Sequence, residues 1–268
     1  MVDEAGVSIT VDGLRREFGP VTAVDGVDLS LEGPQILGVA GPNGAGKTTL
    51  IKVLLGLLKP TDGHTAVNGT DSLSLGPEER RRIGYMPQHR AIYQDLTVAG
   101  NVEFFAQLYG VEDREAAAER VIEMVDLGQR ADSLVSELSG GMIRRASLAA
   151  TLVHDPDVLI LDEPTVGFDP ALRAEMWETF RDRRAAGALI LVSTHYLGEA
   201  SNCDRVLFLR DGRVLDLDTP DSFLQRTDTG DMEEAFLELL RADGNGNGAA
   251  GGKGDGRAGG KSDRRAGR

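Results

Sequence analysis

The sequence predicts an α/β fold: a mainly parallel sheet flanked by helices, with an N-terminal antiparallel β subdomain and a helical subdomain in the middle. Three observations carry this. Short apolar runs alternate with segments of helical periodicity. The first runs alternate apolar and polar residues, as half-buried antiparallel strands do. The stretch from about 89 to 155 shows helical patterns.

The elements follow in order. Residues 7–11 and 24–31 read as strands, with Val27, Leu29 and Leu31 on one face and Asp28 and Ser30 on the other. Gln35 to Ala40 is a buried strand ending in Gly-Pro-Asn-Gly. A helix starts at Lys47, where Leu50, Val53, Leu54 and Leu57 keep helical spacing, and Pro60 follows its end. His64 to Asn68 is a strand turned by Asn68-Gly69. Val98 to Tyr109 and Glu115 to Val125 carry apolar stripes. Ser139 to Val153 is a helix with Met142, Ala146, Ala149 and Val153 in line. Val158 to Leu161 is a buried strand, Ala171 to Ala186 a charged surface helix, and Ala188 to Ser193 another buried strand. Arg205 to Leu209 and Arg213 to Leu217 form a hairpin around Asp211-Gly212. From Asp243 the chain is rich in glycine and almost free of large apolar residues, so a disordered tail is expected over 243–268 beyond a folded body over 1–242.

Composition excludes several classes. None of the 268 residues falls in an uninterrupted apolar run near the ~18 needed to span a bilayer. Met1 to Gly6 is short, polar and acidic, unlike a secretory leader. The one cysteine, Cys203, cannot form an internal disulfide, and a reducing, cytosolic setting is the default expectation. The net charge is −14, divided as +3 on the tail and −17 on the body. So acidic a body argues against nucleic acid as a partner, while leaving room for a nucleotide held by backbone amides. Twenty-four Arg stand against five Lys, and 25 Asp against 18 Glu. High-salt adaptation and a GC-rich genome both give this bias, and the sequence leaves the two open.

Gly41-Pro42-Asn43-Gly44-Ala45-Gly46-Lys47-Thr48 matches the phosphate-loop pattern G-x-x-x-x-G-K-[ST]. Glycines let the backbone curl until consecutive N–H groups face phosphate oxygens. Lys47 can reach the β- and γ-phosphates, and the Thr48 hydroxyl can ligate Mg²⁺. Thr49 continues into a helix whose positive end points at the anion. The pattern specifies a nucleoside triphosphate but not a reaction. Downstream, Val158-Leu-Ile-Leu-Asp162-Glu163 is an apolar strand ending in two carboxylates. Beside a phosphate loop, Asp162 can hold Mg²⁺ and Glu163 can polarise an attacking water.

Leu138-Ser-Gly-Gly-Met142, 23 residues before Asp162 when counted from Ser139, resembles the signature motif of ATP-binding cassette (ABC) proteins. Other motifs of that family follow in order. Gln88 in Tyr85-Met-Pro-Gln88 resembles the Q-loop glutamine, which would contact both ATP and Mg²⁺. Asp169 in Thr165-Val-Gly-Phe-Asp169 resembles the D-loop aspartate. His195, 32 residues after Glu163, resembles the switch histidine. Phe18 lies where the family places an aromatic that stacks on adenine; an aromatic near a first hairpin can equally be core. The resemblance covers residues 7–225. Two departures stand out: Met142 where glutamine is common, and Val166-Gly167-Phe168 in the D-loop.

The resemblance implies an ATP- and Mg²⁺-dependent ATPase in which two cassettes, identical or paralogous, sandwich two ATP molecules. Ser139, Gly140, Gly141 and Asp169 would then act in trans on the partner's nucleotide, with Glu163, His195 and Lys47 as the hydrolytic set. It also implies transmembrane permease subunits and a peripheral place on the cytoplasmic face of the membrane. Asp95-Leu-Thr-Val98 and Phe104-Phe105 lie where such cassettes meet the permease, though they can also be core. Segments 81–88, 164–170, 194–200 and 232–240 resemble cassettes of type-2 exporters for drugs, lipids or polysaccharides. A soluble cassette ATPase without a membrane partner is the other class to weigh. A GTPase is disfavoured because no asparagine precedes a lysine, as a guanine reader requires. Cys203 reads as a buried small residue; His64, His89 and His154 carry no evident role.

Overall fold

The computed structural model describes residues 6–89 and 91–248. In chain order the strands are β1 (Ser8–Phe18), β2 (Val21–Glu32), β3 (Ile36–Ala40), β4 (Asp62–Val67), β5 (Thr70–Asp71), β6 (Ile83–Met86), β7 (Val158–Asp162), β8 (Leu189–Thr194), β9 (Arg205–Arg210) and β10 (Arg213–Asp218). The α-helices are α1 (Lys47–Leu54), α2 (Pro77–Arg81), α3 (Val98–Leu108), α4 (Arg114–Met124), α5 (Gly140–Leu152), α6 (Pro170–Ala185), α7 (Pro220–Thr227) and α8 (Met232–Gly248).

The first strands alternate in the expected phase. Ile9 pairs opposite Leu31, Val11 opposite Leu29 and Leu14 opposite Val27, so these residues give the β1–β2 hairpin one buried apolar face. This hairpin heads a four-stranded antiparallel sheet in the order β2-β1-β4-β5. The second sheet has six strands in the order β10-β9-β3-β8-β7-β6, parallel except for β10 at its edge. Period-2 alternation divides its side chains between two cores. Leu37, Val39, Ile160 and Leu191 face the first sheet and α1, while Ile36, Leu161, Val192 and Phe208 face the helical side. Burial on both faces is why these strands read as continuous apolar runs.

The middle segment is helical as expected, with α3, α4 and α5 packed together through Val102, Val121, Ile122 and Ala146. Elements with weak periodicity were not anticipated: β5, α2, β6, α7 and α8. Strand β6 is four residues behind a triple arginine, and its strand character comes from pairing with β7. The helix α6 is less a surface helix than its charge implied: Met176, Trp177 and Phe180 are buried, with Trp177 edge-on to Phe180 at 5.4 Å. Helix α8 runs to Gly248, past the Asp243 boundary expected for the tail. Residues 249–268 and 1–5 lie outside the described residues, and with them the rest of the expected tail and the start of the chain. Cys203 is buried as expected. Sulfur fills the space beside Gly38, where an added β-carbon would come within 2.7 Å of it.

His154 has a structural place that its sequence context did not reveal. Its ring stacks on Tyr109 at 3.8 Å and its Nε2 lies 3.3 Å from the Ile83 carbonyl. Burial pushes the imidazole down to about 4, against the pull of Ile83 and Asp155. The unfolded chain, with an ordinary histidine near 6.5, then binds more protons than the folded one between those values. Stability attributable to this site is full above about 6.5 and declines as pH falls toward 4. Urea midpoints at pH 5 and pH 7 should therefore converge in His154→Phe relative to the unmodified chain; an unchanged difference would remove His154 as the source.

Candidate nucleotide site

Four loops leave the carboxyl ends of neighbouring parallel strands. The phosphate loop follows β3, His195 follows β8, Asp162 and Glu163 close β7, and Gln88 follows β6. Adjacent strand order β3-β8-β7-β6 therefore gathers residues 47, 88, 162, 163 and 195 from across the chain, at the edge where α/β sheets bind ligands.

The phosphate loop needs its glycines for space as well as conformation. A β-carbon at Gly41 would sit 2.1 Å from the Leu209 carbonyl oxygen. Gly46 has φ +107°, and its β-carbon would sit 2.4 Å from the Ala23 oxygen. The loop is tied by Gly41 N donating to Thr194 O at 3.2 Å and Ala45 N to Pro42 O at 3.2 Å. The amides of Lys47, Thr48 and Thr49, the first turn of α1, find no backbone acceptor among the described residues. Such orphan donors at a helix N-terminus suit an anion. They open on a pocket of about 300 Å³ bounded by Asn43 to Thr49 and, across it, Gln88 and Glu163.

Lys47 is 5% exposed and curls back over its own loop, Nζ donating to the carbonyls of Gly41 (2.8 Å) and Pro42 (3.1 Å). It stands 3.7 Å from Glu163 Oε1. Burial pushes its ammonium below the usual lysine range, opposed by the carboxylates of Glu163 and Asp162. Thr48 Oγ1 donates to Asp162 Oδ2 at 2.9 Å, and Ser193 Oγ donates to Asp162 Oδ1 at 2.5 Å. A hydroxyl and a fully buried carboxylate thus face each other beside the pocket, a donor pair that fits Mg²⁺ once phosphate and water oxygens complete the shell. Among the described residues no cluster of three His, Cys, Asp or Glu exists that would hold a cation without such help.

Glu163 is the hub. Its φ is +52°, a left-handed conformation that disfavours a side chain and is concentrated at functional sites. Its amide is anchored by Ser193 O at 3.1 Å and Ser193 Oγ at 3.0 Å. Its carboxylate accepts from Gln88 Nε2 at 2.9 Å and lies 3.1 Å from His195 Nδ1. The His195 approach is within ion-pair range, but Nδ1 has no aligned hydrogen bond. Gln88 therefore spends its amide N–H on Glu163, leaving its carbonyl oxygen for a cation.

The remaining expected residues stand apart from this pocket. Ser139 caps α5, accepting from Met142 N at 3.3 Å, and a β-carbon at Gly140 would meet nothing within 4 Å. Asp169 caps α6, accepting from Ala171 N and Leu172 N at 3.0 Å each. Ser139, Gly140, Gly141 and Asp169 do not line the phosphate-loop pocket of their own chain. Phe18, at the end of β1, is 46% exposed, and the Arg16 guanidinium lies 4.5 Å over its ring. That exposure excludes a core role for Phe18.

Three participants were not anticipated. Ser193 orients both carboxylate residues; the signal was the Ser193-Thr194 hydroxyl pair ending an otherwise apolar run. Glu199 is buried and accepts from Thr165 Oγ1 at 2.7 Å and Thr194 Oγ1 at 2.8 Å, joining the segment before Asp169 to the one before His195. Arg144 reaches across from α5 to the carbonyls of Gln88 and Glu163.

Comparisons with known proteins agree with this geometry. The family model described as "ABC transporter" matches residues 24–166. The chain is 41% identical over 236 residues to the daunorubicin resistance ATP-binding protein DrrA3 of Streptomyces coeruleorubidus, covering 87% of this chain and 74% of that one. It is 38% identical over 226 residues to the Nod factor export ATP-binding protein I of Burkholderia lata, covering 83% and 74%. A solved ATP-binding subunit of an ABC transporter superposes with a TM-score of 0.78 at 28% identity, over 87% of this chain and 99% of that one. Motif order, the converging strand ends and these relatives lead to one conclusion: the chain belongs to the ABC transporter family, as one of its ATP-binding, ATP-hydrolysing cassettes.

Proposed function

We propose that two such chains, or this chain and a paralogue, close on two ATP molecules to power a type-2 exporter for drugs, lipids or polysaccharides. The observation that carries the pairing is the separation just described: the phosphate loop, Gln88 and Glu163 line one pocket, and Ser139, Gly140, Gly141 and Asp169 are not among its lining residues. The body, over about 1–242, would be the cassette, with the Gly-rich segment beyond it a tail.

The chemistry is in-line attack of water on the γ-phosphate, which breaks the bond to the β–γ bridging oxygen and releases ADP and inorganic phosphate. The amides of Lys47, Thr48 and Thr49 bind phosphate oxygens, and Lys47 turns from its loop carbonyls toward the β- and γ-phosphates. Mg²⁺, held by Thr48, Asp162 and Gln88, supplies positive charge to those phosphates when bound. Glu163 takes the proton of the attacking water, with His195 beside it stabilising the γ-phosphate. Phe18 stacks on adenine. Ser139 with the Gly140 and Gly141 amides completes the partner's site, and Asp169 lies at the same interface.

No helix among the described residues is long and apolar enough to cross a membrane; in this reading permease subunits form the passage. An exposed aromatic patch supports such docking at the cytoplasmic face. Phe104 is 39% exposed, edge-on to Tyr93 at 5.1 Å, and Leu108 is exposed beside them. Val98, by contrast, is core, and Thr97 caps α3. The relatives named for daunorubicin resistance and Nod factor export favour export over a soluble ATPase.

Mixing two inactive chains tests the pairing. Ser139→Asp keeps the helix cap and sets a negative charge against the partner's γ-phosphate. Lys47→Ala disables the phosphate loop. Mixed pairs hold one intact composite site, so the mixture should hydrolyse ATP at roughly a quarter of the unmodified rate when neither variant does alone. No recovery on mixing would place both motifs in one chain's site and overturn the proposal.

A further inference from the structure

We propose that Arg144 is a positioning residue for Glu163, and that through it helix α5 links the signature end at Ser139 to the hydrolytic site of its own chain. This rests on the reading that Ser139 faces the partner's nucleotide.

Arg144 projects from α5 between two loops. Its Nη1 donates to the Gln88 carbonyl at 2.7 Å. Its Nη2 donates to the Glu163 carbonyl and lies 3.4 Å from the Asp162 carbonyl. Its Nε donates to the Pro164 carbonyl at 3.3 Å. One guanidinium therefore holds main-chain oxygens on both sides of the catalytic carboxylate and on the glutamine that touches it. Among the described residues no carboxylate lies within ion-pair distance of Arg144, so its direct bonds all go to backbone oxygens, while the Glu163 and Asp162 charges act on it through space.

The site needs such a clamp. Glu163 sits in a left-handed conformation that local preferences oppose, and its carboxylate must meet a water in line with the γ-phosphate. The Ser193 bonds fix the amide before the turn; Arg144 fixes the carbonyl after it. A planar fork of five donors can serve four acceptors at once, whereas an ammonium on a flexible stem cannot hold that plane. Ser139 and Arg144 are five residues apart on one helix, about 7.5 Å along its axis. A rigid displacement of α5 on meeting the partner's nucleotide therefore moves Gln88 and the Glu163 turn with it. The sequence offered no signal for this, because Arg144 stands beside a second arginine, Arg145, and its acceptors are all carbonyl oxygens.

The test uses the full chain and three measurements: kcat, the Kd of a fluorescent ATP analogue, and the Hill coefficient of hydrolysis. Arg144→Lys, which keeps the charge and should fold, is expected to lower kcat about 100-fold, as a misplaced reacting group does, while the Kd stays within about threefold and the Hill coefficient falls toward one. Arg144→Gln should behave the same way. A lysine variant with unmodified kcat, or a kcat loss matched by an equal weakening of nucleotide binding, overturns the proposal. Either result alongside a hydrolysing parent chain and an inactive Glu163→Gln would leave the cassette reading standing. A parent chain that does not hydrolyse ATP would bring down that reading, and this inference with it.

Discussion

Glu163→Gln should bind ATP and fail to hydrolyse it, lowering kcat by about 10²–10⁴-fold and trapping a closed, ATP-bound pair. Glutamine preserves the volume and can accept from Gln88 through its carbonyl oxygen. It loses the basic oxygen that takes the proton of water, and its amide nitrogen must then face Lys47 or His195. The left-handed backbone at this position suits glutamine no worse than glutamate, and the Ser193 and Arg144 bonds go to main-chain atoms. The fold should therefore survive, and thermal midpoints without nucleotide should agree within a few degrees. Size-exclusion chromatography with ATP should show the pair for Glu163→Gln and a shorter-lived one for the unmodified chain. Hydrolysis within threefold of the parent would sink the assignment of Glu163 as the base.

Lys47→Ala should weaken ATP binding about 100-fold or more. Lys47 is the cation on the loop, its first partners are its own loop carbonyls, and it lines the pocket that Glu163 borders. Deleting it also removes a buried positive charge from beside two buried carboxylates. Breaking a buried pair by removing one partner costs about 3–5 kcal/mol, because the remaining charge loses its compensation. Both effects are measurable: isothermal titration for the first, and the urea midpoint without nucleotide for the second. The unmodified chain should gain roughly 2.7 kcal/mol of stability at an ATP concentration a hundredfold above its Kd, and the variant should gain almost none. Tight ATP binding by Lys47→Ala would overturn its place in the site.

The sequence made the catalytic neighbourhood legible because its chemistry lies in local patterns. A phosphate loop is one contiguous turn whose glycines are required by contacts such as Gly41 against Leu209. Asp162 and Glu163 close an apolar run that could only be a buried strand. The order of motifs then named the family that the comparisons bear out. The charge tally alone had said only that nucleic acid was an unlikely partner.

Other features were invisible because their cause is not local. Strand β6 is four residues long and becomes a strand by pairing with β7. Ser139 and Asp169 were read for a partner's nucleotide, yet each also caps the helix that follows it. Helix α6 looked like a surface element by its charge, and its Trp177 and Phe180 proved to be core. By sequence Phe18 fits both adenine stacking and core, and its exposure excludes core.

By itself, then, the sequence pointed to the groups proposed to carry the chemistry, since residue type and spacing set what can bind a triphosphate and activate water. Only the tertiary structure decided how those groups are held. The strand order β3-β8-β7-β6 brings residues more than a hundred positions apart to one edge, and Ser193, Glu199 and Arg144 fix them there by hydrogen bonds. The physical reason is that such bonds depend on through-space direction and distance. An acceptor that is a main-chain carbonyl leaves no mark in the order of the side chains.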